Sequence, residues 1–241
     1  MKALIFAAGL GTRLKPLTDN KPKALVEVNN ITLLEHTVKK LKRAGVNEII
    51  VNVYHFAEQI KTFLKQKNYF NIHIEVSDES GQLLDTGGGL KKASWFFDDS
   101  KPFFVHNVDV LSNVNLGELY QSHINSRSLA TLAVKDRETS RYFLFNETLQ
   151  LCGWKNIKTG EIKISRENAN TLTLLAFSGI QVINTEIFEL INEKGKFSLT
   201  DTYIQLAKNN KITGYWHDKD FWLDLGTPAK IKEGEEYLVR L

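Results

Sequence analysis

Two rhythms of apolar residues alternate along the chain. Short runs rich in β-prone residues fall at 3–8, 48–53, 72–76, 102–106 and 129–134 and predict strands. The first of them, Ala-Leu-Ile-Phe-Ala-Ala, has no polar residue in it and reads as a strand buried on both faces. Between the runs, apolar residues take helical spacing: Leu34, Val38 and Leu41, then Ala57, Ile60 and Phe63 or Leu64, then Leu116, Leu119 and Tyr120. Thr32 and Glu35 stand at capping-box spacing before the first of these helices, and Gly45 is its stop. Alternating strands and helices predict an α/β protein with a mostly parallel sheet and helices on both faces. Ligands of such sheets bind at the carboxyl ends of the strands, so Gly9, residues 77–81 and the residues after Val105 are expected to converge on one crevice.

From 141 to 175 the rhythm changes. Residues 142–145 and 149–154 read as a hairpin and 161–164 as a further short strand, a small antiparallel elaboration over the crevice. Residues 172–183 return to the main sheet. Helices over 186–191 and 201–208 and strands over 212–216 and 221–224 follow, and Thr227-Pro228 opens the last helix. Gly87, Gly88 and Gly89 are placed at the start of a helix over 91–97, because each glycine in a helix interior costs about 1 kcal/mol relative to alanine.

Composition narrows the classes. The 241 residues suffice for one domain with a full core, and 42% hydrophobic with 24% charged residues is ordinary for a globular chain. A net charge of +3, with cations dispersed among acids, gives no footprint for nucleic acid. Cys152 has no second cysteine to pair with, no apolar run reaches membrane-spanning length, and none resembles a signal peptide, so a cytoplasmic protein with no membrane partner is expected. His55, His73, His106, His123 and His217 are scattered without zinc-ligand spacing.

The chemistry gathers after the first strand. Gly9 and Gly11 form a Gly-x-Gly turn, where the missing Cβ lets backbone N–H groups face phosphate oxygens. Thr12, Arg13, Lys15, Lys21 and Lys23 surround it, which predicts a polyphosphate site. A dinucleotide fingerprint would need glycine where Leu14 stands, and no Walker A run is present. The whole spacing, G-x-G-T-R-L-x-P-L-T followed by K-P-K-x-L, resembles the signature of the sugar-1-phosphate nucleotidyltransferases, and the likeness runs to the last helix.

That resemblance implies a Rossmann-like fold in a single domain, with 1–110 a nucleotide-binding half and 111–241 a sugar-binding half. It implies contacts to the nucleotide from Ala8, Gly9, Gly11, Thr12, Arg13, Lys23, Thr86 and Gly87, the last two to the base. Arg13, Lys23 and Asp109 are the implied catalytic residues, and Asp109 and Asp224 the implied ligands of Mg²⁺. Asp224 lies in the W-x-D-x-G-T motif; Asp109 lies in Asn107-Val108-Asp109, where relatives have glycine in place of Val108. Asn107 and Asp136 are the implied sugar contacts; Trp154 joins them as a stacking surface or else belongs to the core, since Gly153-Trp154-Lys155 departs from the Glu-Glu-Lys of many relatives. The implied partners are a nucleoside triphosphate and a sugar 1-phosphate, with a homo-oligomer left open. The chain length, the run Leu84-Asp-Thr-Gly-Gly-Gly and the segment Phe177-Ser-Gly-Ile point to UTP as donor and N-acetylmuramic acid 1-phosphate or a related hexosamine phosphate as acceptor, with Lys155 and Arg141 as candidates for a lactyl carboxylate. A choline-phosphate cytidylyltransferase and a catalytically silent regulatory protein of the same fold are the rivals.

Overall fold

The computed structural model describes residues 1–166 and 171–239. The first half runs β1 (Lys2–Phe6), β2 (Glu27–Val28), β3 (Ile31–Thr32), α1 (Leu33–Arg43), β4 (Glu48–Val53), α2 (Ala57–Gln66), β5 (His73–Asp78), α3 (Asp85–Lys92) and β6 (Phe103–Asn107). The second runs β7 (Val110–Ser112), α4 (Leu116–Ser126), β8 (Ala130–Lys135), β9 (Arg141–Phe145), β10 (Leu151–Asn156), β11 (Ile162–Ile164), β12 (Thr173–Ile183), α5 (Ile187–Leu190), α6 (Leu199–Leu206), β13 (Ile212–Trp216), β14 (Trp222–Asp224) and α7 (Pro228–Val239).

Among the described residues ten strands form one sheet in which β5, β4, β1 and β6 are adjacent and parallel. β12 lies antiparallel to β6, β8 and β9, and β13 pairs parallel with β8. The antiparallel elaboration, β9 to β11, continues this sheet through β12 instead of forming a separate layer. Along β1 the side chains divide between two cores: Ala3 and Ile5 pack with α1 and α2, whereas Leu4 packs with Ile50, Phe103 and the α5–α6 region. Both faces of β1 are therefore dry, as its apolar sequence requires.

Thr32 Oγ1 accepts from the Glu35 N–H at 3.2 Å, the first half of the capping box. The return half is absent because the Glu35 carboxylate pairs with Lys39 (2.7 Å) and Lys67 (2.9 Å). Gly45 ends the segment in the left-handed region at φ 86°.

The glycine triplet departs from expectation. Gly87, Gly88 and Gly89 lie inside α3, which ends at Lys92, and only a short 3₁₀ turn at Ser94–Phe96 remains of the helix expected over 91–97. Packing overrides propensity here. A Cβ on Gly87 would stand 2.4 Å from the Phe197 ring, one on Gly88 2.2 Å from the Gly195 carbonyl oxygen, and one on Gly89 2.7 Å from Glu79 Oε1.

Two histidines sit uncharged in the interior. Burial pulls His106 down to about 3 and His217 down to about 4. Their folded-state pKa values lie below the unfolded value, so their contribution to stability is complete above about pH 6.5 and is lost as pH falls toward 4. The thermal midpoint is expected to drop between pH 6.5 and 4.5, each histidine withdrawing up to about 1.4 kcal/mol per pH unit. Calorimetry across that range checks it; a midpoint that stays flat refutes it.

Candidate active site

The loop after β1 is shaped by two glycines that serve different ends. Gly11 has φ 65°, and a Cβ there would meet Thr18 Cγ2 at 3.0 Å and Lys23 Cβ at 3.1 Å. Gly9 is otherwise: a Cβ would meet no protein atom within 4 Å. Its bareness answers no packing demand of the chain, only the space it borders. Leu14, fully buried, anchors the loop, and the Thr18 hydroxyl donates to the Gly11 carbonyl at 2.9 Å.

That space is a cavity of about 380 Å³. Ala7, Ala8 and Gly9 line it from β1, Asn52 and Glu79 from the ends of β4 and β5, Asp85 and Thr86 from α3, and Asn107, Val108 and Asp109 from the end of β6, with Lys23 and Lys196 at its wall. The strand ends converge as the α/β topology dictates.

Two carboxylates far apart in sequence meet beside it. β7 and β14 form an antiparallel ribbon in which Asp224 is paired with Val110, and the Leu225 N–H donates to the Asp109 carbonyl at 2.8 Å. Lys23 forms an ion pair with Asp109 in which both side chains are largely buried. Arg13, mostly exposed, reaches Asp224 Oδ2 at 3.7 Å. Burial and the adjacent Asp109 charge push the Asp224 carboxyl up, with Lys23 and Arg13 opposing. Asp224 Oδ1 is buried and has no hydrogen-bond partner among the described residues. An orphaned oxygen within a pair of repelling carboxylates suits a hard divalent cation, which takes one or two carboxylates and completes its shell with water and phosphate oxygens. Among the described residues no group of three or more His, Cys, Asp or Glu offers a self-sufficient metal cage.

Val108, where relatives carry glycine, is absorbed without strain. Its side chain is buried in the core, it is not among the residues with positive φ, and its carbonyl accepts from the Thr37 hydroxyl at 3.3 Å. Gly226, in contrast, is demanded by the site: a Cβ there would lie 2.6 Å from Arg13 Nη2 and 2.7 Å from Asp224 Oδ1.

A strap from the second half of the chain closes one wall. The Phe197 carbonyl accepts from the N–H groups of Gly87 (3.0 Å) and Gly88 (3.3 Å), and the Phe197 N–H donates to Leu84 (3.2 Å). The Leu199 N–H donates to Thr86 Oγ1 at 3.0 Å. Thr86 thus borders the cavity, while the Gly87 N–H is taken by the strap and Gly87 is buried beneath Phe197. The same strap carries Lys196 to the cavity wall.

The remaining candidates are dispersed. Asn107 lines the cavity; Asp136 is exposed, outside the lining, with its N–H bonded to Asp218 Oδ1 at 2.7 Å. Trp154 lies in β10, packed against the second core with the Lys163 ammonium 5.3 Å from its ring centre, and it too is outside the lining. Gly153 beside it is required by the edge strand, since a Cβ would fall 2.5 Å from the Lys163 carbonyl oxygen. Thr12 and Arg13 occupy the 3₁₀ turn that follows Gly11. Sequence reasoning missed Asn52 and Lys196, and it reached Glu79 only as part of the stretch 77–81 expected at the crevice. For Asn52 a signal was present, a lone amide in the apolar strand Ile-Ile-Val-Asn-Val; Lys196 offered none.

A glycine loop, two cations and a carboxylate pair are thus gathered beside one cavity at the strand ends. The chain belongs to the nucleotidyl transferase family, whose pattern its residues 2–239 match, and is an enzyme of the sugar-1-phosphate nucleotidyltransferase class. It is 31% identical to an N-acetylmuramate alpha-1-phosphate uridylyltransferase of Caulobacter vibrioides over 95% of this chain and 93% of that protein. It is 32% identical to a mannose-1-phosphate guanyltransferase of Yarrowia lipolytica, spanning 97% of this chain and 63% of that longer protein. The fold is shared with HddC from Yersinia pseudotuberculosis complexed with GMP-PN, at TM-score 0.77 and 22% identity over 98% of this chain and 99% of that one. A UDP-glucose pyrophosphorylase complexed with UDP-glucose superposes at TM-score 0.80, with 17% identity over 99% of this chain and 98% of that one. Among the described residues no helix is long and apolar enough to cross a membrane.

Proposed function

We propose that the enzyme joins N-acetylmuramic acid 1-phosphate, or a closely related hexosamine 1-phosphate, to the uridylyl group of UTP, releasing pyrophosphate. A sugar-phosphate oxygen attacks the α-phosphorus as the bond from that phosphorus to the β-phosphate bridge oxygen breaks. The attacking phosphate monoester is mostly ionised at neutrality, its second pKa being about 6, so no general base is needed. What the reaction demands is alignment of like-charged groups and cover for the charge that grows on the leaving pyrophosphate. The observation that carries this reading is the meeting of Lys23, Arg13, Asp109 and Asp224 at the edge of the cavity that the glycine loop borders.

In this reading the loop from Ala8 to Thr12 holds the triphosphate, Arg13 forks around the β- and γ-phosphates, and Lys23 faces the transferred phosphoryl group. Thr86 and Gly87 belong to the wall that faces the base. Asp109 and Asp224 would hold Mg²⁺, which supplies neutralising charge between phosphates when bound. Asn107, at the cavity, is the sugar contact best supported by position; Asp136 and Trp154 stand outside the lining. Residues 1–110 serve chiefly the nucleotide and 111–241 the sugar, in a cytoplasmic enzyme. The donor and acceptor rest on the uridylyltransferase relative matched along nearly its whole length.

Pyrophosphate release measured for the common nucleoside triphosphates crossed with a panel of sugar 1-phosphates tests the assignment. UTP with N-acetylmuramic acid 1-phosphate is expected to be the fastest pair. Equal rates with N-acetylglucosamine 1-phosphate, or faster turnover of GTP with mannose 1-phosphate, overturn the assignment.

A further inference from the structure

Asn52 is a primary amide in a strand whose residues from Ile49 to Val53 are all buried, and it is itself 2% exposed. An amide in such a place is costly unless its donors and acceptor are met. They are met from two sides. Asn52 Oδ1 accepts from the N–H groups of Ala7 (2.7 Å) and Ala8 (3.3 Å), immediately before Gly9. Asn52 Nδ2 donates to Glu79 Oε1 at 2.8 Å. Glu79 is 1% exposed, and its other oxygen accepts from the Leu84 N–H at 3.1 Å. One chain of hydrogen bonds therefore joins the glycine loop, the end of β4 and the turn that leads into α3, and both Asn52 and Glu79 stand in the cavity wall.

The chain has a polarity that few side chains can reproduce. The position needs an acceptor toward the loop and a donor toward a carboxylate, separated by the width of one amide. Leucine offers neither, and an ionised aspartate has no donor. Ala7 and Ala8 turn their N–H groups inward to Asn52, and Gly9, next in the chain, borders the cavity.

We propose that Asn52 is a positioning residue of the transfer reaction: it fixes where the glycine loop stands relative to the Glu79–Thr86 wall, so that the phosphates and the base of one nucleotide are gripped at a set separation. This rests on the reading that the loop holds the triphosphate. Asn52 touches no reacting atom and acts through the backbone of Ala7 and Ala8. A displacement of the loop by a fraction of an ångström spoils in-line alignment, so its loss falls on kcat more than on KM.

Asn52→Asp separates positioning from mere folding, because its effect depends on pH. Two carboxyls would then stand where an amide meets a carboxylate, and like charges that close do not both ionise. Burial already pushes the Glu79 carboxyl up; Lys92 opposes this through its charge and Asp85 adds to it, and Lys23, Asp109 and Lys196 are the other charged groups around the same cavity. When one proton is shared, the new carboxyl donates to Glu79 and accepts from Ala7 and Ala8 as the amide does; when it is lost, the chain breaks. Gly89→Ala probes the same contact from outside, since a Cβ there would lie 2.7 Å from Glu79 Oε1 and 2.9 Å from Asn52 Nδ2 without touching the loop.

The experiment measures kcat and KM for pyrophosphate release by the wild type, Asn52→Asp and Gly89→Ala from pH 6 to pH 8. The ratio of Asn52→Asp to wild-type kcat is expected to fall about tenfold or more across that range, and Gly89→Ala to lose about tenfold in kcat at pH 7.5. A ratio constant within twofold, or Gly89→Ala within threefold of wild type, overturns the inference while the wild-type activity upholds the site assignment. If Asn52→Asp does not fold, Gly89→Ala decides alone. A wild type that releases no pyrophosphate with any pair of substrates overturns the site assignment and the inference with it.

Discussion

Asp224→Asn is expected to lower turnover by about 10³-fold while leaving the protein as stable as the wild type or more so. The two effects have one cause. Asp224 is held beside Asp109 with a buried, unpartnered oxygen, and its ionised form is disfavoured by burial and by like charge. An amide of the same shape removes the repulsion, and with it the charge that the site needs. Strained polar groups of this kind are retained for function at some expense in stability. Asp109→Asn is expected to lose similar activity but to destabilise, because it strips the partner from the largely buried Lys23 ammonium; an unpaired buried charge costs on the order of 3 kcal/mol. Steady-state rates with calorimetry of both variants provide the check. Full turnover in either variant, or wild-type turnover that survives excess EDTA, would remove the carboxylate pair from the mechanism.

The second large effect is expected at the cations. Alanine at Arg13 or Lys23 should lower kcat/KM by about 10²-fold or more, roughly 3 kcal/mol of barrier, if these side chains cover charge that develops on the departing pyrophosphate. Their stabilities should part company. Arg13 is mostly exposed and its contact with Asp224 is 3.7 Å, so its removal should leave the thermal midpoint unchanged. Lys23 is buried against Asp109, so its removal should lower the midpoint. Losses below threefold at both positions would return the loop to a packing role.

What the sequence made legible was whatever depends on neighbours in the chain. The strand at Lys2–Phe6, the helix at Leu33–Arg43 with its Thr32 cap, and the spacing of the glycine loop rest on local pattern, and the structure bears out the two elements. Asp109 and Asp224 could be singled out because each sits in a recognisable run. Contacts across long stretches of chain were not legible. Glycines 87–89 looked like a helix start because propensity was the visible factor; the deciding one was close approach, of Phe197 and Gly195 from the other half of the molecule at Gly87 and Gly88 and of Glu79 and Asn52 at Gly89. Glu79 lay within the stretch 77–81 expected at the crevice but could not be singled out there, because its burial against Asn52 depends on the register of β4 with β5, in which Asn52 is paired with Ser77. Motif position alone leaves Trp154 open between a sugar-stacking and a core role; in the fold it packs against the second core.

The strap at Gly195–Leu199 bears on how such an enzyme can be re-engineered. If Thr86 and Gly87 face the base as proposed, residues 79–92 would be the segment to transplant in an exchange of base preference. Here that segment is incomplete by itself. The N–H groups of Gly87 and Gly88 are satisfied by Phe197, and their missing side chains leave room for that residue and for Gly195. A graft of 79–92 that carried any side chain at 87 or 88 would collide with the resident strap. In the proposed reading the wall that faces the base is built from two segments distant in the chain, and a chimera is expected to function only when both cross over together.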